Sequence, residues 1–229
     1  MINYLRLTTL LLLAFVTGCA GPGYYFHALS GQIEILNKRR PVEEVLIDPA
    51  TAPQTRQQLE LVRRLRDFAS QELMLPDNRS YRTYADLERP FVVWNVFATP
   101  ELSLEPEQWC FMFVGCVSYR GYFAREKAET FAANLEQNGH DVYIGGVPAY
   151  STLGWFNDPV LNTFIHRSEP DLAGLLFHEL AHQVLYVSND TAFNESFATV
   201  VELEGVKRWF ERHGTSQQAQ AYQQKIQRR

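Results

Sequence analysis

The pentapeptide His178-Glu179-Leu180-Ala181-His182 places three metal-chemistry side chains within about one turn of helix. Residues four apart on an α-helix return nearly to the same face, about 6 Å further along the axis, so both imidazoles can reach one cation. Two neutral nitrogen ligands beside a carboxylate suit a zinc ion whose bound water must give up a proton. In that pattern His178 and His182 are ligands and Glu179 is the base. The chemistry implied is zinc-dependent (Zn2+) hydrolysis of a peptide bond.

Such a site needs a third protein ligand and an open fourth position for water. Ser168-Glu169-Pro170-Asp171 opens a helix, with Ser168 as cap and Pro170 in the tolerant first turn. The run Leu172 to Tyr186 continues it, and Leu175, Leu176, Leu180, Val184 and Leu185 recur at helical spacing, which predicts a buried helix. Two histidines satisfied only by hydrogen bonds are the competing reading, but burying them with a glutamate in so apolar a helix is costly without a partner such as a metal. The turn Ser188-Asn189-Asp190-Thr191 ends this helix and caps a second over Phe193 to His213, which Gly214 stops. A helix returning after so short a turn brings Glu195 near the histidines, so Glu195 is the chosen third ligand. Glu202, seven residues on, stays open as a ligand or as an acceptor that orients a ligand histidine.

With these residues in view the chain resembles the bacterial predicted-aminopeptidase lipoproteins, a branch of the zinc peptidases in which H-E-x-x-H is followed by a glutamate ligand on the next helix. The likeness rests on residues 116–123 (CVSYRGYF), residues 149–156 (AYSTLGWF), the pentapeptide followed by Gln183, and residues 194–198 (NESFA). It runs from about Gly31 onward and implies an aminopeptidase acting on a peptide substrate. Members of that family continue past the second ligand helix into a further helical region, whereas this chain stops at Arg229, so the resemblance implies a truncated C-terminus.

Residues 1–18 read as a lipoprotein signal peptide: Arg6, an apolar stretch from Leu10 to Val16, then Thr17-Gly18 before Cys19, the residue expected to carry the lipid. The stretch is too short to span a membrane. Ala20 is not the aspartate of an inner-membrane retention signal, so resemblance to such lipoproteins implies the outer membrane, facing the periplasm. Residues 19–229 read as one zinc-peptidase-like domain. Cys110 and Cys116 are spaced for a short disulfide-closed loop in an oxidising compartment; the other readings are two small core residues or soft metal ligands, for which no further Cys completes a set. With 21 basic against 26 acidic residues and a net charge of −5, the chain has no nucleic-acid footprint. Nothing in the sequence sets an oligomeric state.

The expected class is α+β, mostly helical with a small sheet. Helices are predicted near Gly31 to Lys38, Pro53 to Leu73, Arg125 to Asn138, over the two metal helices, and from Thr215 to Gln227 as a glutamine-rich, fraying tail. Strands are predicted at Phe91 to Phe97, Phe111 to Tyr119, Asp141 to Val147 and near Asn162 to His166. Arg63, Arg64 and Arg66 read as a solvated helix face. The stretch Gly145 to Phe156 reads equally as a substrate-cleft wall or an aromatic core loop. Tyr150, His166 and Tyr186 are candidates, unranked, for stabilising an oxyanion. The rival functions are a non-catalytic, zinc-stapled envelope lipoprotein that binds a peptide or protein partner, and a zinc hydrolase of cell-wall material.

Overall fold

A computed structural model describes residues 21–111, 115–149, 151–152, 154–187 and 190–227; the signal peptide, Cys19, Tyr150, Ser188 and Asn189 lie outside them. In chain order the helices are α1 (Pro22–Asn37), α2 (Val42–Ile47), α3 (Pro53–Gln71), α4 (Arg125–Gln137), α5 (Asn162–Ile165), α6 (Glu169–His182), α7 (Thr191–His213) and α8 (Ser216–Gln227). The strands are β1 (Arg40–Pro41), β2 (Thr83–Ala85), β3 (Val93–Pro100), β4 (Trp109–Phe111), β5 (Gly115–Val117), β6 (Arg120–Tyr122), β7 (His140–Val147) and β8 (Val160–Leu161). The class is α+β, and the described residues pack as two units, one within 21–37 and 90–148, the other within 38–89 and 149–227.

In the first unit β3 is the centre of an antiparallel sheet in the order β6-β3-β7, with Trp94 opposite both Tyr122 and Gly146. Its burial alternates with the period of a strand, Trp94, Val96 and Ala98 pointing inward. On that face α4 lays Ala128 and Ala132, four residues apart and small, against Trp94, Val96 and Tyr122. The predicted strand over Phe111 to Tyr119 is divided: β4 and β5 form a separate hairpin in which Cys110 faces Cys116, and the two sulfurs are bonded. Both cysteines are exposed, unlike the core residues of the rival reading.

In the second unit α3, α6 and α7 share a core of Leu59, Val62, Leu65, Phe68, Leu172, Leu176, Phe177, Leu180, Trp209 and Phe210. Beside it lies the small sheet β1-β2-β8, antiparallel then parallel. The strand predicted near Asn162 to His166 is the short helix α5, directly after β8. There the Asn162 side chain accepts from the Leu87 backbone N–H at 2.9 Å and donates to the Arg89 carbonyl at 3.1 Å, and Phe164 and Ile165 turn into the core. The tail is a docked helix: Tyr222 of α8 is 4% exposed, and Lys225 pairs with Asp171 of α6 at 2.6 Å.

Arg66 departs from the solvated face predicted for its cluster. Arg63 and Arg64 are exposed, but Arg66 is buried, and its guanidinium donates to the carbonyls of Ser80 (3.0 Å), Pro76 (2.6 Å) and Asn78 (3.1 Å). A buried cation is tolerable when its donors are met in this way. The loop it gathers leads to the end of α6, because Asn78 Nδ2 donates to Gln183 Oε1 at 2.7 Å.

Candidate metal centre

Helices α6 and α7 run antiparallel, as their contacts show: Glu169 at the start of α6 accepts from Trp209 Nε1 far along α7 at 2.8 Å, while His178 and His182 near the end of α6 face Glu195 in the first turns of α7. Helix α6 ends at His182, short of the predicted Tyr186, and Val184 to Val187 are exposed rather than buried. Asp190 then caps α7, its Oδ1 accepting from the Phe193 N–H at 3.0 Å. The buried Asn194 closes the turn in both directions, accepting from the Val187 N–H and donating to the Val187 carbonyl, each at 2.8 Å. This clamp sets where the next residue, Glu195, stands. Gly205 lets the helices approach, since a Cβ there would come 2.7 Å from Phe177.

Glu195 Oε2 lies 3.3 Å from His178 Nε2, and its Oε1 lies 3.7 Å from His182 Nε2. The three ligand atoms lie within 4.8 Å of one another. Ligands held about 2.0–2.1 Å from one tetrahedral zinc stand roughly 3.3 Å apart; the 3.3 and 3.7 Å separations are near that value while the widest is larger, and the donor types, two imidazoles and a carboxylate, could hold a metal ion. Among the described residues this group has three members. The Glu195 side chain is 57% exposed, so solvent reaches the group on that side.

Glu202 stands on the other side of His178. Its Oε2 lies 2.9 Å from His178 Nδ1, an arrangement in which Nδ1–H donates to the carboxylate and Nε2 keeps its lone pair for a metal. Its Oε1 accepts from the Tyr222 hydroxyl of α8. Gly174 makes room for this contact, because a Cβ there would collide with the Tyr222 hydroxyl. His182 has no such support: its Nδ1 is buried without a hydrogen-bond partner among the described residues.

Glu179 is set deep beside the pair. Burial drives its carboxyl up to about 7, against the attraction of His178 and a hydrogen bond from Ser151, and with the nearby Asp158 and Glu195 adding to the rise. Burial opposes a charge on His178, yet the carboxylates of Glu202, Glu179 and Glu195 outweigh it and raise its pKa, whereas burial and the neighbouring His178 lower that of His182. Asp158, itself raised by burial, ties the adjoining loop by accepting from the Thr152 N–H at 2.9 Å and the Thr152 hydroxyl at 2.7 Å. A cavity of about 370 Å³ opens onto His178, Glu179, Glu202 and Tyr222, with Arg167 and Asp171 at its wall.

Of the stretch Gly145 to Phe156, Gly145 to Val147 belong to β7, while Ser151 reaches Glu179 and Gly154 abuts the Gln183 side chain. Trp155 and Phe156 are exposed, which removes the aromatic-core reading for them. His166 and Tyr186 are exposed, and no described contact joins either to the three-ligand group. Tyr222, Asn78 and Asp158 were not singled out by sequence reasoning, and Ser151 entered only as part of the stretch Gly145 to Phe156. For Tyr222 one signal existed: it is the only aromatic residue after Gly214.

No curated protein and no solved structure gives a significant match to the chain. A family model described as "Putative aminopeptidase" matches residues 23–229, nearly the whole of it. The chain belongs to this aminopeptidase family.

Proposed function

We propose that this protein is a zinc-dependent aminopeptidase, tethered by a lipid on Cys19 to the outer membrane and facing the periplasm. The observation that carries the zinc reading is the convergence of one ligand atom from each of His178, His182 and Glu195 within 4.8 Å, beside a buried glutamate. Zinc held by His178, His182 and Glu195 would lower the pKa of a water and polarise the substrate carbonyl. The chain's own groups do the rest. Glu179 takes the water proton and returns it to the leaving amine, a task suited to a carboxylate whose pKa burial has moved near neutrality. The Ser151 hydroxyl holds that carboxylate in place. Glu202 and Tyr222 keep His178 in the tautomer a ligand needs.

Specificity for a free N-terminus comes to this reading from the family alone. The test is hydrolysis of aminoacyl chromogenic substrates by zinc-loaded mature protein, beside the same substrates with blocked amines and beside cell-wall peptides. Cleavage of the unblocked set only is expected. Cleavage of the cell-wall peptides alone, or of nothing, overturns the proposal.

A further inference from the structure

Helix α1 has two apolar sides. One is buried: Tyr24 packs edge-on against Tyr122 with ring centroids 5.7 Å apart, His27 Nε2 accepts from the Phe123 N–H at 3.1 Å, Gly31 abuts the Phe123 ring, and Ile35 is 1% exposed. The other faces out. Phe26 is 73%, Leu29 57% and Ile33 45% exposed, and with Ser30 and Asn37, also exposed, they recur at helical spacing along one stripe. No charged residue lies on that stripe. The one charged residue of α1, Glu34, is half-buried and lies off it.

A stripe of large apolar side chains without charge is costly in water and marks a docking face. The chain beside it points to the occupant. Only Ala20 and Gly21 separate Cys19 from Pro22, where α1 begins. Three residue steps span at most about 11 Å, so an acyl group on Cys19 would hold the start of α1 at the headgroup layer. An apolar helix face held that close to a bilayer buries its side chains at the headgroup–acyl boundary. No described helix is long and apolar enough to cross a membrane, so α1 can serve only along the surface.

We infer that α1 lies in the interface of the bilayer, with Phe26, Leu29 and Ile33 inserted among the lipids as a second membrane contact beside the anchor. This rests on the lipid-anchor reading of Cys19, and the experiment separates the two. The full chain with Ser30→Cys is expressed in a lipoprotein-processing bacterium, spin-labelled at that thiol, and reconstituted into phosphatidylethanolamine/phosphatidylglycerol vesicles; an Ala133→Cys label on the exposed side of α4 is the control. The disulfide at Cys110 and Cys116 and the lipid on Cys19 leave the new thiol as the labelling site. Mass analysis of the N-terminal peptide reports acylation independently.

The expected result is an acylated Cys19 with a residue-30 label that gains collisions with oxygen and loses collisions with a water-soluble nickel chelate severalfold on vesicles, while the residue-133 label stays in water. An acylated Cys19 with the residue-30 label still open to nickel overturns the docking alone. Loss of both kinds of collision signals a protein contact on the stripe and overturns it in favour of a second copy of the chain. An unmodified Cys19 overturns the anchor reading, and the docking with it.

Discussion

The ring of His178 is gripped from both sides, with Nδ1 2.9 Å from Glu202 and Nε2 3.3 Å from Glu195. One carboxylate orients the imidazole and the other shares with it the position a cation would take. The orienting partner is in turn held by Tyr222, so a side chain on α8 reaches His178 through Glu202.

Replacing Glu202 with Ala removes the acceptor that holds His178 in its ligand tautomer. Zinc affinity, measured by competition with a chromogenic chelator, is expected to fall about 10–100-fold. Tyr222→Phe leaves the carboxylate present but unheld, so a smaller loss is expected from it. Equal affinity in Glu202→Ala and the parent would show that the ring is oriented without Glu202.

Glu179→Gln removes a proton acceptor and leaves all three ligand groups in place. Elemental analysis should find zinc at the parent stoichiometry, while kcat falls by about 10²–10⁴. His182→Ala should lose the metal itself. If the Gln variant turns over at the parent rate, the base lies elsewhere.

Stability of the metal-free protein should depend on pH through the same side chain. Its folded pKa, about 7, lies above the ordinary carboxylate value, so the folded state favours the protonated form. This contribution is fully present below the ordinary value and is lost as the pH rises through about 7. Between pH 5 and pH 8 the Tm of the metal-free parent should therefore fall by a few degrees relative to that of metal-free Glu179→Gln, measured by calorimetry with chelator present. Parallel pH profiles for the two proteins would contradict the buried-carboxylate account.

Asn194→Ala breaks the two-way clamp on Val187 and removes both hydrogen bonds to its backbone. At about 0.5–1.5 kcal/mol for each bond, urea unfolding should show a loss of about 1–3 kcal/mol for the pair. Glu195 should also lose its set position, so zinc affinity falls with stability. Weaker folding with unchanged affinity would mean that α7 places Glu195 without the clamp.

Much of the site could be read before the fold was known, because its parts are local. The spacing of His178 and His182 is a property of one helix, and Asp190 marks a cap by its type and position. The departures arose where a distant contact outweighed the local pattern. Periodicity extended α6 to Tyr186, but the buried side chain of Asn194 pulls Val187 out of the helix. Asn162 to His166 has the composition of a strand, yet the Asn162 amide engages residues 87 and 89 and turns the chain into α5. Arg66 shares a basic cluster with Arg63 and Arg64, and only the loop folded over it, carrying the acceptors at 76, 78 and 80, accounts for its burial.

What the amino-acid order determined alone is therefore the residue types that could meet a metal and the α+β class, since side-chain chemistry and short-range periodicity belong to the unfolded chain as much as to the folded one. Which glutamate faces which imidazole nitrogen was decided only in three dimensions. Glu195 and Glu202 are seven residues apart on nearly one helical face and offer the same group; their roles separate because α7 returns antiparallel beside α6, setting one against Nε2 and the other against Nδ1 of the same ring.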